Sequence, residues 1–155
     1  MNKILLLLLF ILITFSCKPQ KTSKIDKVMY LFTDASLPIP QQRNYEITVT
    51  PKIGGIKIIG NDTVYKNISY TITASQWEEI VKAAEEANLK GLLYSDANQK
   101  NCMSYTIASF NKEQPLGIYE WSSCNETTVQ QKYTHFKTCI VMSVPDLNAL
   151  LSSTK

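Results

Sequence analysis

Residues 45–50, YEITVT, alternate apolar and polar positions, the pattern of a strand with one buried face. Residues 56–59 form a short apolar run. After the turn residues Gly60-Asn61-Asp62, positions 63–73 alternate again through Ile68, Tyr70 and Ile72. Pro51 and the pair Gly54-Gly55 predict a loop between the first two of these strands. The period then changes. Trp77, Ile80, Ala84 and Ala87 recur at three- and four-residue intervals and predict a helix over about 75–89. Two overlapping capping boxes open it, Thr73 with Gln76 and Ser75 with Glu78, and Gly91 is placed to stop it in the left-handed conformation.

Residues 105–110 and 116–121 flank Asn111-Lys-Glu-Gln-Pro115, which reads as a five-residue hairpin loop. Positions 136–142 are apolar and rich in β-branched residues, so they are expected to form a further strand. Ser143 then caps a short terminal helix over about 144–152. Pro145 is tolerated in its first turn, Asp146 sits at its positive end, and Leu147, Leu150 and Leu151 form its buried stripe. Strands adjacent in sequence and two separate helices predict an α+β fold: an antiparallel sheet of about five to six strands with both helices on one face.

The start of the chain follows no such pattern. Residues 4–15 are apolar except for Thr14, with Lys3 before them and the small Ser16 after. Crossing a bilayer as a helix takes roughly 17–25 apolar residues, so this run is too short to span. A lysine, a short apolar core and a small residue make the layout of an export signal. Cys17 follows, and Thr14-Phe15-Ser16-Cys17 resembles the lipobox of bacterial lipoproteins, which are cut before a cysteine whose thiol carries diacylglycerol. Ser16 fits that pattern; Thr14 and Phe15 stand where the family usually has Leu and Ala or Ser. The resemblance covers about the first eighteen residues. It implies a signal peptide at 1–16 and an acylated Cys17 as membrane anchor. Because Lys18 rather than Asp follows the cysteine, it also implies the outer membrane of a Gram-negative envelope. Each buried methylene of such an anchor contributes about 0.8 kcal/mol, and more than one chain is needed for lasting attachment.

Charge separates tether from domain. Without Lys3 the 16 basic residues become 15 against 13 acidic ones, a net of +2. Residues 18–27, KPQKTSKIDK, hold four lysines and Asp26, a net of +3, so residues 28–155 carry −1. With Cys17, that polar segment reads as a flexible tether over 17–27, its lysines able to meet anionic headgroups. Residues 28–155 are then one domain, long enough to bury a core. No basic face points to nucleic acid.

Four cysteines in an exported chain invite pairing. With Cys17 acylated, Cys102, Cys124 and Cys139 remain. A hairpin folded about Glu113, with Phe110 opposite Leu116, also sets Cys102 opposite Cys124, at a separation a disulfide bridges. The pairs Cys124–Cys139 and Cys102–Cys139 stay open. No CxxC occurs, which argues against a redox or zinc centre. His135 is the only histidine, and its neighbours form no nucleophile motif. It also lacks companions for a metal site, so neither metal nor cofactor is expected. Asp96-Ala-Asn98 begins like a calcium loop without the central Gly or closing Glu. Glu78, Glu79, Glu85 and Glu86 read as the solvated face of the main helix. Tyr119 and Trp121 share one side of their strand, opposite Leu116 and Ile118. If the Leu116 side is core, the two aromatics form an exposed binding patch; if not, they are core.

Two functions fit. The first is a non-enzymatic, lipid-anchored binding, inhibitor or accessory module, with the membrane and an envelope protein as partners. The second is a carboxylate-dependent hydrolase of glycosidase type, for which Glu46, Glu120 and Asp96 are the available acids.

Overall fold

The computed structural model describes residues 23–38, 42–60, 63–95 and 101–152. The elements are β1 (Lys27–Asp34), β2 (Asn44–Val49), β3 (Ile53–Gly60), β4 (Thr63–Thr71), α1 (Ala74–Ala87), β5 (Gly91–Ser95), β6 (Met103–Asn111) and β7 (Gln114–Ser122). A 3₁₀ helix (Ser123–Thr128), α2 (Gln131–Met142) and α3 (Leu147–Ser152) complete the chain. The seven strands make one sheet in the order β4-β3-β2-β1-β6-β7-β5. All neighbours are antiparallel except β5 and β7, which are parallel. The α+β class holds, with a sheet that is larger than expected and mixed.

Two strands account for the difference. The sequence KVMYLFTD of β1 is apolar at successive positions, so alternation does not mark it, yet it forms the centre of the sheet. Its Tyr30 pairs with Ile47 of β2 on one side and Ile107 of β6 on the other. The short β5 lies at an edge beside β7.

Residue parity then fixes the core. Val28, Tyr30, Ile47, Val49, Ile56, Ile58, Ile107 and Trp121 point to one face and are buried. The helices cover that face through Ile80, Ala83, Ala84 and Ala87 of α1 and Tyr133, Phe136, Cys139 and Ile140 of α2. Gln76 and Glu79 of α1 face Thr138 and Met142, whereas Glu86 faces Gln131 and Lys132, so the two helices run antiparallel.

Several local expectations are corrected. Positions 136–142 are the second half of α2 and not a strand. Tyr133, Phe136 and Ile140 form a buried helical stripe, and the modest helix penalty of β-branched residues is overridden by that burial. Ser143 closes α2 rather than opening the next helix: its Oγ–H donates to the Ile140 carbonyl at 2.6 Å. The terminal helix begins only at Leu147.

Of the two capping boxes only Thr73 with Gln76 forms, and the left-handed stop is Asn88 at φ 50° rather than Gly91. Gly54-Gly55 lies inside β3, where a side chain at Gly54 would collide with the Tyr70 ring. The hairpin loop is two residues, Lys112 and Glu113, both at positive φ, and not five. From Ser104↔Ser122 to Ser109↔Gly117 the register is the one expected. An irregularity at Ser109/Phe110 then sets Phe110 against Pro115 instead of Leu116. Pro115 sits beside that irregularity, where a missing N–H is tolerated.

The expected tether also ends earlier. Asp26 N–H donates to the Phe110 carbonyl at 3.0 Å, and Lys112 N–H donates to Asp26 Oδ2 at 2.6 Å. Lys27 begins β1, pairs with Glu113 and lies 4.6 Å over the Phe110 ring. Ile25 packs against the core.

Candidate functional site

Four surfaces carry chemistry, and the first is withdrawn into the interior. Tyr119 and Trp121 are 8% and 0% exposed. They belong to an aromatic chain running across the sheet: Tyr45 stacks on Phe32 at 5.0 Å, Phe32 meets Tyr105 at 5.7 Å, and Tyr105 meets Trp121 at 5.2 Å. Tyr119 lies 5.5 Å from Trp121 and stacks on Tyr133 of α2 at 4.0 Å. Lys137 covers the outer side, its Nζ 4.8 Å from the Tyr105 ring and 5.7 Å from the Trp121 ring. The exposed-patch reading of Tyr119 and Trp121 is therefore corrected to core. A helix over 131–142 supplies the layer that buries them, while Leu116, the unpaired residue at the β6–β7 irregularity, is 37% exposed. Trp121 Nε1 is buried without a hydrogen-bond partner among the described residues, a cost of about 1–3 kcal/mol that the ring's burial must exceed.

The cysteines divide as two and one. Cys102 and Cys124 form a disulfide with a Cα–Cα separation of 6.0 Å. Cys139 is free and buried, which closes the alternatives that involve it. It lies one helical turn from the exposed His135, with 3.8 Å between Sγ and Nε2. Both line a hollow of about 220 Å³ between α1 and α2, together with Gln76, Glu79 and Met142. Burial, and then the charges of Glu79 and Glu86, push the Cys139 thiol above its ordinary value, although a backbone hydrogen bond opposes them. The thiol therefore stays protonated near neutrality and makes a poor nucleophile. The strand expected at 136–142 concealed this pair. Read as a helix, the spacing His135–Cys139–Met142 would have revealed it.

The carboxylates lie on the opposite face of the sheet. Register aligns Glu46 of β2, Leu31 of β1, Thr106 of β6 and Glu120 of β7 in one row. Thr48 Oγ1–H donates to Glu46 at 3.3 Å, and Thr106 Oγ1–H donates to Glu120 at 3.4 Å. Three strand spacings of about 4.8 Å put the two backbones about 14 Å apart. Asp96 lies outside the described residues, as does Cys17. Around the pair, Met29, Leu31, Thr48, Lys57 and Ile118 are half-buried, and no α-helix covers this face among the described residues.

A fourth feature is a cavity of about 550 Å³ where the chain enters the fold, bounded by Lys24, Ile25, Glu85, Asn88, Leu89 and Leu116. It joins one cation and one carboxylate to apolar walls.

Among the described residues, no three His, Cys, Asp or Glu side chains converge as a metal site. No helix there is long and apolar enough to cross a membrane. No protein-family model matches the chain, and no similar protein is found among curated proteins or solved structures.

Proposed function

We propose that this chain is an exported protein held at the cell envelope by lipid on Cys17, and that its domain binds an envelope protein rather than acting as an enzyme. The observation that carries the reading is the short apolar run at 4–15 ending in Ser16-Cys17. The Cys102–Cys124 disulfide suits an oxidising compartment such as the periplasm. Lys18 after the cysteine favours the outer membrane. The first described residue, Ser23, follows Cys17 by six positions, so even an extended linker spans only about 20 Å and the domain stays near the bilayer.

With Tyr119 and Trp121 buried, the binding surface passes to the helix-free face of the sheet. There Met29, Leu31 and Ile118 are framed by Glu46, Lys57 and Glu120, an apolar centre with a charged margin. A carboxylate-dependent hydrolase draws less support. Glycosidase carboxyl groups stand about 5–9.5 Å apart across a bound sugar, whereas Glu46 and Glu120 start from backbones about 14 Å apart.

Cys17→Ser tests the anchor. It should release the protein from the membrane fraction or leave it unprocessed; unchanged processing and partitioning would overturn it. A photo-cross-linking residue at Thr48 or Lys57 in the membrane-bound protein tests the binding surface. It should trap one discrete protein that a cross-linker at Lys82, on the outer side of α1, does not. Equal trapping from both positions would refute the assignment of that face.

A further inference from the structure

His135, Cys139 and Met142 occupy positions i, i+4 and i+7 of α2, one flank of the helix. All three border the same 220 Å³ hollow, with Glu79 of α1 also at its margin. Met142 is 77% exposed, so its thioether is accessible from solvent. Imidazole, thiolate and thioether together are a soft donor set. Bonds of the lengths that zinc makes, about 2.3 Å to sulfur and 2.0–2.1 Å to nitrogen, meeting at a trigonal angle, place sulfur and nitrogen about 3.8 Å apart, and a first-row d10 cation of similar size spans a like distance. The observed Sγ···Nε2 separation is 3.8 Å.

We propose that this flank binds a soft monovalent d10 cation, Cu(I), through His135 Nε2, Cys139 Sγ and Met142 Sδ. Among the described residues no third His, Cys, Asp or Glu converges with His135 and Cys139, which disfavours zinc, with its three or four such ligands, and calcium, which takes six to eight oxygens. Cu(I) is satisfied by two or three soft donors, so the same count favours it. As the Cu–S bond forms, the Cys139 S–H bond breaks and its proton leaves to solvent; the copper stays Cu(I), and nothing is oxidised or reduced. Glu79 and Glu86 face the thiol and favour a cation there, while Lys132, beside Glu86 and His135, is the opposing charge.

The test uses the full chain with Cys17→Ser, purified in detergent with its disulfide intact, so that Cys139 is the one free thiol. It does not depend on lipid attachment. Anaerobic titration with Cu(I) should give a thiolate-to-copper ultraviolet band saturating at one equivalent, which Cys139→Ala abolishes. Competition against bicinchoninate measures affinity. Loss of a mere supporting partner of a metal ligand costs about 10–100-fold, so His135→Gln and Met142→Leu should each weaken binding by about tenfold or more. Met142 is too exposed for its replacement to disturb folding, which circular dichroism checks. Absence of the band, or unchanged affinity in either variant, would overturn the site.

Discussion

Removing the Cys102–Cys124 bond by the double substitution Cys102→Ala and Cys124→Ala should lower stability by about 3 kcal/mol. The bridge joins residues 22 apart. In the chain-entropy model a loop of that length removes about 11 cal/mol/K from the unfolded chain, about 3 kcal/mol at 25 °C. The native hairpin does not depend on the bond for its closure, because Ser104 pairs with Ser122 immediately inside it and the ladder continues to Asn111 and Gln114. The loss therefore falls on the unfolded state. Truncation adds a smaller amount at Cys102, which is 5% exposed, and little at Cys124, which is on the surface.

At about 2.1 cal/mol/K of unfolding entropy per residue, a fold of about 130 residues should melt about 11 °C lower. Thermal unfolding followed by circular dichroism, with parent and variant at one pH, gives the number directly. Mapping of the unreduced parent should recover Cys102 and Cys124 in one linked peptide pair. A melting temperature lowered by less than about 3 °C would refute the entropic argument. Linkage of Cys139 to either partner would refute the topology itself.

Trp121→Ala should destabilise by about 3–5 kcal/mol, as for a core aromatic, whereas an exposed residue would change stability by less than about 0.5; denaturant titration separates the two. Burial raises Tyr45 and Tyr70 above their ordinary 10.0, against the weaker opposing hydrogen bonds of Tyr30 and Ser143. The folded state then keeps protons that the unfolded chain releases, so this contribution is whole below about pH 10 and is lost as pH rises through the folded values. The melting temperature should fall on that side of pH 10, and less steeply in Tyr70→Phe; a parallel fall in both would remove Tyr70 as a cause.

Elements whose signal is local were legible before any fold was known. The Thr73–Gln76 capping box and the stripe of Ile80, Ala84 and Ala87 determine α1, because a helix closes its hydrogen bonds within itself. The hairpin spacing that opposes Tyr105 to Trp121 placed Cys102 beside Cys124, because antiparallel pairing is a mirror operation on residue number. Parity could not say which side of β7 is core: each alternative leaves one set of side chains inward, and a helix elsewhere in the chain makes the choice. That helix was itself obscured, since Thr138, Ile140 and Val141 favour a strand by local preference and are held in α2 by the burial of Tyr133, Phe136 and Ile140 on the sheet. The central place of β1 and the parallel edge of β5 rest on partners distant in the chain, Lys27 with Phe110 and Gly91 with Gly117. The juxtaposition of His135, Cys139 and Met142 follows from the same point: only as a helix does that stretch bring the three onto one flank, and the tertiary packing on the sheet is what makes it one.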